Sequence, residues 1–310
     1  MTMSLKLNRE QSDPLCCCEY INANGQRSHV LGFLCDCAEL DDTVDRLFAG
    51  QSVPKSKVLE IWNVLEDRSR VPWWRGAQPV PLDVVVPWIL VPLGLWLAQW
   101  NVYVLVVVHA LMLPSLYIWY RLIWRFKPHN RFYTSWSVAT TCVLFYVYEF
   151  EVVGFIALPK TISFWENLVL IGSGLLAIFF VKETRRRSLW VQKLGHPQRS
   201  ERFCRICETS VVGRKHHCFW IGICISESNQ RHFMGFLVSL CLTLVQYSLL
   251  SLTSVCQSYL VFYDLVLVPS DCAMVNDKFE GNPNLVWASG IHSGGIAILI
   301  FTMIVVKICR

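Results

Sequence analysis

The feature that most restricts this chain is the length of its uninterrupted apolar runs. A helix needs about 20 apolar residues to cross roughly 30 Å of hydrocarbon, and a spanning segment must satisfy its own backbone hydrogen bonds. Six segments approach that length: 82–99, 102–124, 134–157, 164–181, 234–262 and 286–308. They predict an all-α polytopic membrane protein with about six transmembrane helices. Composition agrees: 54% of residues are apolar and only 16% charged, against about 45–50% and about 25% in soluble domains. Residues 1–80 differ, mixing charge, Gly and Pro as a water-exposed segment does. The third span carries Glu149 and Glu151. A charge at the bilayer centre costs at least ~2.5 kcal/mol, so both are expected near the exit interface or against other helices; a functional intramembrane carboxylate is the alternative.

Orientation is read from the basic residues, which stay on the cytosolic side. Arg121, Arg125, Lys127 and Arg131 lie between spans two and three, and Lys182, Arg185, Arg186 and Arg187 follow span four. The stretch after span five instead holds Asp264, Asp271, Asp277 and Glu280 against Lys278. Six crossings with both termini cytosolic satisfy every loop. Trp73, Trp74, Trp100, Trp119, Trp124, Trp136 and Trp165 fall near span ends, where interfacial aromatics belong. The polar start MTMSLKLNREQSDP lacks the apolar core of a signal peptide. The net charge of +5 is absorbed by loop orientation and does not call for nucleic acid. The chain thus divides into a Cys-containing cytosolic region (1–80), four spans (81–181), a cytosolic Cys/His module (182–233), and two spans joined by a lumenal loop (234–310).

Most of the fourteen cysteines lie in segments assigned to the cytosol or bilayer, which argues against a disulfide framework. The module holds Cys204-x-x-Cys207, then His216-His217-Cys218 and Cys224. Two thiolates on one tight turn converge on an ion, and four N/S ligands suit a closed structural zinc site. Metal binding would also supply folding energy to a loop with little apolar core. The alternative is a set of ordinary buried cysteines. Cys204, Cys207, Cys224 and one histidine fill a tetrahedron, leaving Cys218 and the other histidine over. A spare thiol beside a spare imidazole is the unit of thiol nucleophilic catalysis; Cys218 as an alternative zinc ligand is the competing reading. Arg214 and Lys215 would stabilise a thiolate there. The N-terminal groups Cys16–Cys18 and Cys35/Cys37 are candidates for acylation or partial metal ligation.

The run HHCFWIGICISESNQRHF, with Trp220, Cys224, Asn229 and Phe233, resembles the motif of the DHHC-type protein S-acyltransferases (palmitoyltransferases). PLCCCEYINANGQ…LCDC and RVPWWRGA resemble the member of that family with a Cys-rich cytosolic N-terminus and six crossings. The resemblance implies that Cys218 is the nucleophile, His216 its base, and Cys204, Cys207, His217 and Cys224 the ligands of a structural zinc. It implies acyl-CoA as co-substrate, cytosol-facing membrane-associated proteins as acyl acceptors, and a Golgi or endoplasmic reticulum membrane. Three departures stand out. Lys215 occupies the place of the family's Asp, which orients the histidine; Phe203 and Ser210 occupy places of ligands to a second zinc; and the family's following Thr-containing motif is absent before Arg310. An alternative alignment takes Cys204/Cys207 as the family's upstream pair, with a deletion, and also leaves one zinc site and Cys218 in place. The second functional expectation is a catalytically impaired homologue that binds partner proteins at a membrane. A RING-type ubiquitin-ligase module would need eight ligands, more than this loop offers.

Overall fold

The apolar runs fold as helices, broken where Pro, paired turns or a change of hydrogen-bond register interrupts them. The computed structural model describes residues 18–22, 25, 27–29, 46, 48–49, 66–74, 76–119, 131–153, 164–193, 201–261, 266–271 and 282–308. It divides into two compact units, Met1–Val86 and Pro87–Arg310. In the first, β1 (Glu19–Ile21) pairs antiparallel with β2 (Arg27–His29), and β3 (Arg70–Val71) with β4 (Gln78–Pro79). Its centre is Tyr20, 4% exposed, with the Arg70 guanidinium 4.1 Å from the ring centroid and held in turn by Asp67 at 2.7 Å. Of the N-terminal cysteines, Cys16, Cys17, Cys35 and Cys37 lie outside the described residues.

The division falls within α1 (Leu82–Ala98); the second unit holds the rest of that helix with α2 (Val102–Trp119), α3 (Phe132–Tyr146), α4 (Phe164–Lys193), α5 (Gln230–Val255) and α6 (Pro283–Ile308). Among the described residues, four helices are long and apolar enough to cross a membrane: Val102–Trp119, Phe164–Ser188, Gln230–Val255 and Pro283–Val306; Leu82–Ala98 is apolar but shorter. The apolar windows of α5 and α6 are 33% and 39% buried, against 6% and 11% for α2 and α4. So α5 and α6 form the centre and the others leave apolar surface outward. Small residues let the central helices approach. A Cβ at Gly290 would lie 3.0 Å from Leu252, and one at Gly235 would lie 2.9 Å from the Phe180 ring. Interhelical hydrogen bonds follow the same seam, with Ser248 donating to the Gly290 carbonyl (2.8 Å) and Ser293 to that of Leu244 (2.9 Å).

Three segments depart from the expected spans. The third ends in a π-helical turn over Val147–Val152 that contains Glu149 and Glu151, and Glu151 accepts the Asn282 backbone N–H at 2.7 Å. That bond places the carboxylate against the start of α6. The fourth continues as helix past residue 181 to Lys193, because Glu183 pairs with Arg186 and Arg187 one turn on, at 2.9 and 2.8 Å. The expectation that the fifth span reaches 262 is corrected. Cys256 turns extended (φ −98°, ψ 159°) and ends α5, after which β9 (Gln257–Val261) pairs antiparallel with β10 (Val266–Asp271). Cys256 is disulfide-bonded, a single bond among the described residues rather than the disulfide framework that the sequence argues against.

Candidate functional site

Between α4 and α5 the chain forms two short hairpins: β5 (Glu201–Cys204) with β6 (Thr209–Val212), and β7 (Arg214–Cys218) with β8 (Ile223–Ser226). The first turn carries Cys204-x-x-Cys207 and puts Glu208 at φ 51°. This left-handed conformation costs a non-glycine residue roughly 1–2 kcal/mol and directs both thiols to one side. Gly213 (φ 61°) joins the hairpins and Gly222 (φ 63°) turns the second one. A Cβ at Gly222 would lie 3.1 Å from the Thr134 hydroxyl, which itself donates to the Phe219 carbonyl at 3.1 Å. Tyr133 meets the Trp220 ring edge-on at 5.1 Å. The tip of the second hairpin is thereby seated on the first turn of α3.

Register pairs His217 with Cys224 directly across β7 and β8, and the first turn brings in the other two thiols. The four ligand atoms of Cys204, Cys207, His217 and Cys224 lie within 4.8 Å of one another. His217 Nδ1 is 3.8, 3.4 and 3.5 Å from the sulfurs of Cys204, Cys207 and Cys224, and Cys207 Sγ is 3.5 Å from Cys224 Sγ. Around a zinc with Zn–S near 2.3 Å, a tetrahedron has edges of about 3.8 Å, so this Cys3His set is compatible with zinc. Without metal the thiols share protons: the hydrogen bond with Cys207 pushes Cys224 up to about 12, aided by burial, while the same bond lowers Cys207. A metal would replace those protons.

The cluster is braced from behind. Asn229, fully buried, accepts from the Ser226 N–H (2.8 Å) and donates to the carbonyls of Cys224 (3.0 Å) and Thr184 (3.3 Å). Ser188 of α4 also reaches the Cys224 carbonyl, at 3.3 Å. Sequence reasoning quoted Asn229 as a motif residue without a role and missed Thr184 and Ser188. Only the helical continuation of α4 brings them here.

Cys218 lies outside the four-ligand set and is 9% exposed, in the same buried apolar cluster as Leu144, Val147, Ile225, Phe233 and Leu237. His216, two residues earlier on the strand, meets Phe233 edge-on at 5.9 Å. It also lines an open groove of about 520 Å³ with Lys215, Ile225, Gln230, Thr302, Met303 and Val306. Lys215 Nζ donates to Gln230 Oε1, at the start of α5.

Residues 182–309 match the family model described as DHHC palmitoyltransferase. The chain is 29% identical to palmitoyltransferase ZDHHC23 of Mus musculus over 97% of its own length and 84% of the relative's. Against the Homo sapiens protein of the same name the identity is also 29%, covering 97% and 88%. Palmitoyltransferase ZDHHC23-B of Danio rerio is 26% identical over 98% and 85%. No solved structure matches.

Proposed function

We propose that this chain, homologous to the DHHC palmitoyltransferases through residues 182–309, is a protein S-acyltransferase working through an acyl-Cys218 intermediate. The observation that carries the reading is the division of ligands. Four Cys/His residues form one set whose ligand atoms could hold a single ion, and His216 and Cys218, which flank His217 on the same strand and so face one way, lie outside that set. In the first step the Cys218 thiolate attacks the thioester carbonyl of an acyl-CoA. His216 takes the thiol proton and returns it to the departing CoA sulfur. In the second, His216 takes the proton of a substrate cysteine thiol, the resulting thiolate attacks the acyl-Cys218 thioester, and the proton returns to the departing Cys218 sulfur, which is released as the thiol. Cys204, Cys207, His217 and Cys224 would hold a structural zinc, which would supply a cross-link between the two hairpins and so steady β7.

The remaining expectations join this proposal. α1 and α3 complete six crossings with the four longer helices, both termini and the hairpins face the cytosol, and β9–β10 faces the lumen of the Golgi or endoplasmic reticulum. A second reading is favoured by Lys215. A cation cannot accept the imidazole N–H, and loss of an orienting acid in a triad lowers turnover by orders of magnitude. That reading is a homologue that binds membrane-associated partners without efficient transfer. Labelling membranes with a clickable palmitate analogue separates the two. Acyl transfer predicts hydroxylamine-sensitive label that is lost in Cys218→Ser and reduced in His216→Ala. Equal label in wild type and Cys218→Ser, with zinc retained, leaves the binding protein.

A further inference from the structure

Acyl transfer gives contact roles to Cys218, His216 and the zinc ligands, and uses Lys215 only as a cation near the thiolate. In a regular strand Lys215 and His216 would point to opposite faces. Here the pairing of β7 with β8 shifts between Arg214–Ser226 and His216–Ile225, leaving Lys215 as the extra residue of a β-bulge. Bulges re-aim side chains, and both Lys215 and His216 line the same groove. Its facing wall is the end of α6, through Thr302, Met303 and Val306, and Ile225 adds further apolar surface. Lys215 is exposed; its ammonium is held by a neutral amide, Gln230, and among the described residues no carboxylate pairs with it.

An aliphatic groove with an uncompensated cation and an imidazole beside it complements an acyl chain that ends in an anionic group. We propose that Lys215 binds the anionic head of the acyl ligand at this groove, exchanging the Gln230 amide for a phosphate or carboxylate oxygen. This inference rests on the acyltransferase reading. It makes position 215 an anion-binding residue, where the resemblance would have had an acid orienting His216. Acyl-CoA phosphates and a free fatty-acid carboxylate share the chemistry.

The test is equilibrium binding to the full chain, purified in a zwitterionic detergent. It carries Cys218→Ser so that no covalent step intervenes. The probes are a non-hydrolysable thioether analogue of palmitoyl-CoA, palmitate, and CoA alone. Lys215→Gln is expected to weaken the thioether about tenfold, the scale of a lost charge-assisted hydrogen bond, and to flatten its salt dependence. Lys215→Arg should restore most of the affinity. If palmitate alone weakens, the proposal stands with a carboxylate as the anion. Unchanged affinity for both acyl probes in Lys215→Gln, at wild-type zinc content, overturns it. Because binding is read without transfer, absence of an acyl-enzyme in the parent protein would sink the acyltransferase reading and leave this result interpretable.

Discussion

Asn229 shows how much of the site depends on one side chain. Its amide makes three hydrogen bonds to backbone groups, all buried, so Asn229→Leu should strand those groups and destabilise the unit by about 2–4 kcal/mol. Unchanged thermal unfolding of the purified variant would show that the bracing carries no weight. The zinc ligands make a second prediction. At neutral pH a Cys224 thiol raised to about 12 holds its proton, so metal binding must release protons and zinc affinity must fall as pH falls. Zinc content measured by elemental analysis should drop on acidification, and Cys207→Ser or Cys224→Ser should lose zinc already at neutral pH. Lys215→Asp tests both roles of position 215: a restored acid raises the acylation rate at saturating donor, while loss of the cation raises KM. A change in neither parameter counts against both. The CxxC and HHC spacing made the metal set and the spare Cys218 legible in the sequence, because ligand number is a property of composition and spacing. The choice of His217 as ligand came from the family resemblance, and the register opposite Cys224 agrees with it. The bulge at Lys215 was not legible, since it depends on pairing with β8.

Among the elements, the apolar runs located α1 to α6, but their ends moved. Helix α4 runs on to Lys193 through Glu–Arg pairs that hydropathy does not register. Helix α5 stops at Val255 although the apolar run continues, because Cys256 starts the β9–β10 hairpin. Two predictions belong here. Gly235 lets α5 approach Phe180 so closely that a Cβ would sit 2.9 Å from the ring. Gly235→Leu should therefore separate α4 from α5 and lower the unfolding temperature, while Gly172→Leu, at a glycine with nothing within 4 Å of its Cβ position, should not. The disulfide at Cys256 tests orientation: disulfides persist in oxidising compartments, as a lumenal β9–β10 requires. In membranes isolated with thiols blocked, Cys256 should become alkylatable only after reduction. Equal alkylation without reductant would place that hairpin on the reducing side and reverse the proposed topology.

For the whole molecule, the α5–α6 pair is the frame on which the site is mounted. Asn229 and Gln230 introduce α5, and Thr302, Met303 and Val306 at the end of α6 wall the groove beside His216. The second hairpin closes onto α3 through Tyr133, Thr134 and Trp220. Membrane anchoring thus does more than localise the chain: helices on both sides of the module position the strand that carries Cys218. Similarity over 97% of the chain to palmitoyltransferases ZDHHC23 of mouse and human fits a frame and module kept as one unit. In the proposed mechanism this frame presents Cys218 as an acyl acceptor despite Lys215. The direct measurement is mass analysis of the purified full chain after incubation with palmitoyl-CoA, followed by peptide mapping. One hydroxylamine-labile palmitoyl group is expected on the peptide containing Cys218, absent from Cys218→Ser. A zinc-loaded, folded protein that carries no acyl group on that peptide would contradict that mechanism.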